Sequence, residues 1–443
     1  MNQAISKRRR PVVPNVGSGS MISDEVLLLE ILVRLPVKSL VRFKSVCKAW
    51  CATIASPHFV RLHLELARAS SSSMVLVPRK YQPEPTKVVS RFVHIYSFQP
   101  AAQSKVAKLI FMYEPRPNGI PMFKIPLHCD GLILIPSITG HIFVCNLATK
   151  EFVELPQGTW NVSLDQRVAF GFDPSSGMYK VARHFLRSYR EGQIRTEYDV
   201  GHEVLTFGDG IETLEWKATI DPPYPIKART PICLPGFFYW SAVQSVADAD
   251  HGKLATDVIL RFSMRDDTFT VHPNPPCRSC LSPNDLMCEL SGKLCYVHSP
   301  SPCEVSIWLA QDGQNIITWS LRCHVNLPIP RILRVYACAS ADQGTVFLSV
   351  DARHLFKCNL HDGSLETVVS MPYGLLYDHG KGKSSFAPGC GYMTLRAMAE
   401  LGPKSSRGQS LKKMAILSFY QARMDATNAV YASLGVAMAP IGL

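Results

Sequence analysis

Two hydrophobic periods divide this chain. From Ile22 to about Ala69 apolar residues recur at helical spacing, and beyond Ser70-Ser71-Ser72-Ser73 they alternate as in strands. In the first part Ser23 is a good N-cap, with Asp24 and Glu25 in the first turn. The helix they start is predicted to run to about Arg34 and to stop at Leu35-Pro36, because proline disfavours helix in the residue before it. A second helical stretch carries Phe43, Val46, Cys47, Trp50, Cys51 and Ile54 on one stripe. Ser56-Pro57 ends it, and Phe59–Leu66 reads as one or two further turns.

The first helix has too much apolar surface for its size. Ile22, Val26, Leu29 and Val33 form one stripe, and Leu28, Ile31, Leu32 and Leu35 form another. A helix apolar on two faces must be buried on two faces, and a module of fewer than about 50 residues is poorly able to do that by itself. The pattern predicts a partner, or else packing on the downstream domain.

That downstream region repeats one layout. Four stretches, 141–156, 258–272, 305–321 and 354–369, each read as an alternating strand, a polar turn and a second short strand. Short strands opened by Gly131, Gly236, Gly292 and Gly344 precede them, and 168–185 makes a further hairpin with Asp173-Pro174 and Gly177 as its turn. With Gly131, Gly171, Gly236, Gly292 and Gly344 as markers the steps are 40, 65, 56 and 52 residues. Irregular periods near 50 with several strands each are kelch-like, and four strands per unit, packed radially, shelter their own edges. A β-sandwich would use the same hairpins; the propeller is favoured, with its blade number open. The expected fold class is therefore α+β and multidomain: a small helical module, then a large all-β, kelch-like propeller. The expected boundaries are a disordered basic tail over 1–20, helices over 21–69, the β domain over 75–378 and a tail over 379–443. Within that tail, Met393–Leu401 and Leu411–Leu434 read as helical and unconnected to the repeat.

Charge changes the picture only once it is located. The net charge is +12, but residues 1–80 carry +9, residues 381–443 carry +6, and the centre carries −3. A central domain built for nucleic acid would carry its own basic footprint, so none is expected as a partner. Lys7-Arg8-Arg9-Arg10 reads equally as a nuclear localisation cluster or a solvated tail. No stretch approaches the roughly 20 apolar residues that cross a bilayer. Fourteen cysteines without a secretory signal point to a reduced intracellular compartment, nucleus or cytoplasm.

Residues Ile22–Phe59 closely resemble the F-box of plant F-box proteins. The order is an acidic first turn, Glu30-Ile31-Leu32, Arg34-Leu35-Pro36-Val37-Lys38-Ser39-Leu40, Arg42-Phe43-Lys44, Val46-Cys47-Lys48-Ala49-Trp50 and a closing Ser56-Pro57 before Phe59. Ser23 stands where the family usually has proline. The central region resembles the F-box-associated domain that follows such boxes, through Cys129-Asp130-Gly131-Leu132, Gly171-Phe172-Asp173-Pro174, Tyr239-Trp240, Leu294-Cys295 and Ile307-Trp308. The resemblance implies the substrate-recognition subunit of a Skp–cullin–F-box ubiquitin ligase, docked on a Skp-type adaptor and through it a cullin, with the β domain holding an unknown protein substrate. By motif position the adaptor contacts are Ile22, Leu28, Ile31, Leu32, Leu35, Pro36, Leu40, Val46 and Trp50, some shared with the module's own core.

Catalytic and metal patterns are not apparent. Cys277 and Cys280 have half of a zinc spacing, but Cys288 and Cys295 lie in strand-like runs. Cys47 and Cys51 fall on the apolar helix stripe and read as core. No phosphate loop, no G-x-S-x-G and no H-E-x-x-H occurs. The expectation is a receptor without catalytic activity, cofactor, metal or membrane attachment; the alternative is a kelch-type propeller enzyme or scaffold outside ubiquitination.

Overall fold

Five times between Leu127 and Ser370 the chain folds four strands into one antiparallel sheet, and turn chemistry decides where each hairpin closes. In this computed structural model the described residues are 30–35, 37–56, 58–60, 62–63, 66, 72–76, 88–90, 92–98, 106–114, 120–121, 126–147, 151–162, 167–191, 196–208, 213–227, 229–244, 256–277, 285–290, 292–301, 303–312, 316–329, 335–339, 344–350, 354–370, 376–378, 383–385 and 394–399.

The N-terminal part is helical: a 3₁₀ turn, Leu32–Arg34, then α1 (Val37–Phe43) and α2 (Lys48–Ala55). The continuous second helix expected from the stripe is broken at Cys47. That residue is extended, and its thiol accepts the Trp50 backbone N–H at 3.4 Å as the cap of α2. The break shifts the helical phase, so positions that looked like one buried stripe divide between core and surface.

Strands β1 (Ser72–Leu76), β2 (Val88–Ser90), β3 (Val93–Phe98), β4 (Val106–Tyr113) and β5 (Ile120–Pro121) open the β domain. Blade one is β6 (Leu127–Cys129), β7 (Leu132–Pro136), β8 (Ile142–Asn146) and β9 (Glu151–Glu154). Blade two is β10 (Arg167–Asp173), β11 (Met178–Glu191), β12 (Thr196–Phe207) and β13 (Trp216–Ala218). Blade three is β14 (Ile232–Leu234), β15 (Phe237–Gln244), β16 (Thr256–Ser263) and β17 (Phe269–Pro273). Blade four is β18 (Leu286–Leu290), β19 (Lys293–Ser301), β20 (Glu304–Asp312) and β21 (Ile317–Asn326). Blade five is β22 (Val335–Ala339), β23 (Thr345–Val350), β24 (His354–Asn359) and β25 (Leu365–Ser370). The predicted hairpins are all present, and the architecture is a β-propeller.

Glycine sits where the turn needs a left-handed residue. Cys129 pairs with Leu132 around Asp130 (φ 52°) and Gly131 (φ 84°), the two-residue turn whose twist matches the strands it joins. Gly236 and Gly292 close the equivalent turns of blades three and four, with φ of 82° and 78°. In blade two that place belongs to Gly177 (φ 71°), not to the expected marker Gly171. Gly171 lies inside β10, where a Cβ would run into Cys233, Phe238 and Met264 of the next blade. Its glycine serves close approach between blades rather than a turn.

The inner strands β6, β10, β14, β18 and β22 lie side by side in that order. Each blade faces its neighbours through apolar side chains on both surfaces. Val181 and Leu205 of blade two meet Leu134 and Val144 of blade one, while Ala182 and Val204 from the opposite surface meet Trp240 and Phe262 of blade three. Tyr239 and Ile259 meet Leu294 and Tyr296 across the next seam, and Ile307 and Val325 meet Leu348 and Phe356 across the last.

A six-stranded sheet completes the ring. Its order is β27 (Lys383–Ser385), β26 (Leu376–Asp378), β4, β3, β1 and β28 (Thr394–Ala399). Val93, Ile95 and Phe111 of this sheet pack on Ile133, Ile135 and Phe143 of blade one, and β28 lies beside β22 of blade five. This corrects two expectations. Residues 394–399 form a strand rather than a helix, and the stretch beyond 378 joins the propeller by pairing with β1. The Ala/Met/Leu content of that stretch favours helix locally, but pairing with an otherwise open edge overrides a weak propensity. The expected tail at 1–20 and the helix at 411–434 lie outside the described residues.

Shortening the chain from Glu400 to Ser385 removes β28 and exposes the β1 edge, so the thermal unfolding midpoint should fall. Scanning calorimetry of the two chains checks this; equal midpoints would mean that β28 closes nothing.

Candidate functional site

Leu32, Val33, Leu40, Ile54 and Phe59 form the buried core of the helical module, with Leu35, Val41, Phe43, Trp50, Val60 and Leu62 half-buried around them. Trp50 meets Phe43 edge-on at 5.6 Å between ring centroids, a favoured aromatic geometry. Ile31 is 40% exposed and Val46 is 59% exposed. A small core is therefore complete without them, and they stand outside it with part of Trp50 and Leu35.

One polar contact ties the module together. His63 is buried, and its Nε2–H donates to the Leu35 carbonyl oxygen at 2.9 Å, joining the last helical turns to the residue before Pro36. Burial pushes the imidazole down to about 3. A proton on it would be buried without a counter-charge, so the folded module keeps His63 neutral.

Each expected contact residue can now be placed. Ile31 and Val46 are surface residues, and Leu35 and Trp50 are half-buried. Leu32 and Leu40 are core, at 2% and 1% exposure, and present nothing to a partner directly. Ile22, Leu28 and Pro36 lie outside the residues whose side chains are described. Cys47 and Cys51 are both exposed, against the expectation of core packing. The helix break at Cys47 is the reason, and no local sequence signal gave it away.

The propeller holds a second arrangement that sequence reading missed, because its members are far apart in the chain. On blade two, Arg183 of β11 and Glu203 of β12 are cross-strand partners. They form an ion pair at 3.0 Å with each side chain only 3% exposed. Glu203 also accepts from the Thr159 backbone N–H at 3.0 Å and from its hydroxyl at 2.6 Å, while Arg183 donates to the Thr159 carbonyl at 2.8 Å. The connection from β9 to β10 is thus fastened to the blade. On the other surface His202 is fully buried among Trp240, Phe262 and Phe269, with Nδ1 2.5 Å from Thr219 Oγ1.

Metal chemistry finds no matching geometry: among the described residues no group of three or more His, Cys, Asp or Glu is placed to hold an ion. Cys288 and Cys295, weighed above as zinc ligands, are directly paired across β18 and β19 at the seam of blades four and five. No helix among the described residues is long and apolar enough to cross a membrane.

Comparison with known proteins agrees with both halves. Residues 24–62 match the F-box domain, and residues 86–349, more than half of the chain, match the family described as F-box associated beta propeller domain. The chain belongs to that family. An F-box/LRR-repeat/kelch-repeat protein of Arabidopsis thaliana is 27% identical over 68% of this chain and 76% of its own length. An Arabidopsis F-box protein is 26% identical over 71% of this chain and 68% of its length. In another, 28% identical over 55% of this chain, the match spans 58% of the relative, little more than half. Among solved structures an oligogalacturonate lyase in complex with manganese aligns with a TM-score of 0.37 and 10% identity over 68% of this chain and 80% of that one. A likeness at that level transfers neither activity nor metal.

The buried F-box histidine makes the module sensitive to acid. Its folded pKa lies below the unfolded value, so the stability it supports is present above about pH 6.5 and is lost as pH falls towards 3. Between pH 7 and pH 5 the loss should reach at most about 2 kcal/mol. Urea titration followed by hydrogen exchange of peptides covering 37–63 should show it, and His63→Gln, which keeps a neutral donor for Leu35, should flatten it. In the propeller, Glu203→Gln leaves the Arg183 charge buried and uncompensated, and should cost about 3–5 kcal/mol by denaturant titration.

Proposed function

We propose that this protein is the substrate-recognition subunit of a Skp–cullin–F-box ubiquitin ligase. The F-box docks on a Skp-type adaptor, and through it a cullin, while the propeller holds a target protein for ubiquitination. The observation that carries the reading is the F-box surface. Its core closes on Leu32, Leu40, Ile54 and Phe59, yet Ile31 and Val46 stay exposed, and Trp50 and Leu35 are only half-buried. Exposed apolar side chains and an aromatic left partly open are the residue types that interface centres use. Ile22, Leu28 and Pro36 belong to the same proposed contact set by motif position. Leu32 and Leu40 act beneath it by holding the helices in place.

The chain itself has no catalytic part in this reading: a conjugating enzyme brought by the cullin supplies the chemistry, and the receptor supplies proximity. Such a role places the protein inside the cell, in nucleus or cytoplasm, where its free thiols stay reduced.

Co-purification of the full chain with a recombinant Skp-type adaptor tests the proposal. The wild type should bind. Ile31→Asp combined with Val46→Asp should weaken binding by about tenfold or more while the thermal unfolding profile stays unchanged, because both side chains are exposed. Leu40→Asp should abolish binding by unfolding the F-box. A wild type that does not bind removes the ligase reading, and a double variant that binds as well as wild type removes the assigned contact surface.

A further inference from the structure

Four cysteines meet at the seam of blades four and five. Cys288 of β18 pairs across the sheet with Cys295 of β19, and both pack with Cys323 of β21 and Cys358 of β24 in one apolar cluster. Cys323 shares a face of β21 with Val325, and Cys358 shares a face of β24 with Phe356, so each turns towards the other's blade. The Cys323 and Cys358 thiols are in hydrogen-bonding contact. The Cys358 S–H has a second acceptor in the Asn359 carbonyl oxygen, at 3.6 Å.

The backbone draws the two blades together at this point. The turn between β24 and β25 lies on β21: a Cβ on Gly363 would stand 2.5 Å from the His324 carbonyl oxygen and 4.0 Å from Cys323 Cβ. The Gly363 N–H donates to the Asn359 carbonyl at 2.9 Å, which folds the turn back beside Cys358. On the facing strand the register shifts between Ile307 and Trp308, so Arg322 is the extra residue of a β-bulge and Cys323 is its neighbour. A bulge bends its strand and re-aims a side chain. Sheets packed face to face ordinarily stand about 10 Å apart, whereas a disulfide needs Cα atoms within about 7 Å. The glycine on one side and the bulge on the other supply a nearer approach.

The two thiols are not equivalent. Cys323 is 8% exposed and Cys358 is fully buried, so a small solute from outside meets Cys323 first. The hydrogen bond from Cys358 holds the Cys323 thiol below its ordinary value despite burial, helped by the exposed Arg322 guanidinium and opposed by Asp362. The same bond and burial push Cys358 far up. The thiolate is the nucleophile in thiol chemistry, so Cys323 is the attacking sulfur and Cys358 waits as a thiol. Cys288 differs: its bond with Cys295, the packing around its sulfur and the nearby Glu289 all push it well up.

We propose that Cys323 and Cys358 form a hydroperoxide-sensitive modification site, oxidised to a disulfide that ties blade four to blade five and released again by a small thiol. The Cys323 thiolate attacks the outer oxygen of the hydroperoxide. The O–O bond breaks, the leaving alkoxide takes a proton from water to become the alcohol, and Cys323 carries a sulfenic acid. The Cys358 sulfur then attacks the Cys323 sulfur. An S–S bond replaces the S–O bond, and the Cys358 proton leaves with the hydroxyl as water. Two thiols lose two electrons in all, and the hydroperoxide is reduced to an alcohol and water. In a reducing compartment the pair rests as the dithiol, and its oxidation is a response to peroxide.

The test exposes the reduced full chain to hydrogen peroxide, blocks the remaining thiols under denaturing conditions and maps the peptides by mass spectrometry. A peptide pair joined through Cys323 and Cys358 should appear, and dithiothreitol should release it. It should form at least about tenfold faster than any link between Cys288 and Cys295, since one unit of thiol pKa is tenfold in thiolate. In Cys358→Ala the intermediate has no partner, and dimedone should trap a sulfenic acid on Cys323; in Cys323→Ala dimedone should leave Cys358 unlabelled. Thermal unfolding of the reduced variants separates a misfolded seam from lost chemistry, and the wild-type map decides by itself where a variant does not fold. Absence of the link between Cys323 and Cys358 in the wild type, a link between Cys288 and Cys295 formed as fast, or a sulfenic acid on Cys358 in place of Cys323 would each overturn the proposal.

Discussion

Every sheet of the propeller depends on a neighbour to bury it. Val181 and Leu205 on one surface of blade two, and Ala182 and Val204 on the other, are apolar because another sheet covers each surface. A single four-stranded blade would expose both, and no isolated blade would be stable in water. The condition propagates from seam to seam and is satisfied at the ends only if the ring closes. Closure falls to the six-stranded sheet, where β28 from the far end of the chain pairs with β1 from the beginning.

Polar groups caught in these seams have been given work. The Arg183–Glu203 pair, His202 against Thr219, and Asp285 with His298 Nδ1 at 3.0 Å and Tyr296 Oη at 3.0 Å are all buried or nearly so. Buried charges are costly unless their remaining donors and acceptors are satisfied. In blade two Thr159 of a connecting segment meets Glu203 and one guanidinium NH2 group of Arg183, while Arg183 Nε stays buried without a partner. The effect is to fasten a loop to the blade. The F-box follows the same logic on a smaller scale. His63 reaches the carbonyl of Leu35 and holds the helical turns together, leaving Ile31 and Val46 outside.

Hairpins and turns were legible from sequence because they are local. Alternation of apolar residues places strands, and a glycine after aspartate, proline or serine places a two-residue turn, so the strands around Asp130-Gly131, Pro235-Gly236 and Ser291-Gly292 follow from a few neighbouring residues. Gly171 misled for an instructive reason: its constraint comes from Cys233, Phe238 and Met264 in the next blade, about sixty to ninety residues away in sequence. The helical stripe through Val46, Cys47 and Cys51 misled because one break at Cys47 shifts the helical phase, and hydrophobic periodicity does not register the break.

The sequence alone determined the two-part organisation and the repeated hairpins of the β domain. These depend on periods of 2 and 3.6 residues, which a chain carries wherever it folds. Tertiary structure decided which apolar residues of the F-box remain outside its core, that residues 394–399 become a strand, and that Thr159 is fastened to blade two by a buried ion pair. Those outcomes turn on contacts between residues far apart in the chain, Thr159 with Glu203 or Ser72 with Ala399, and the sequence specifies such contacts only once the seams have brought them together.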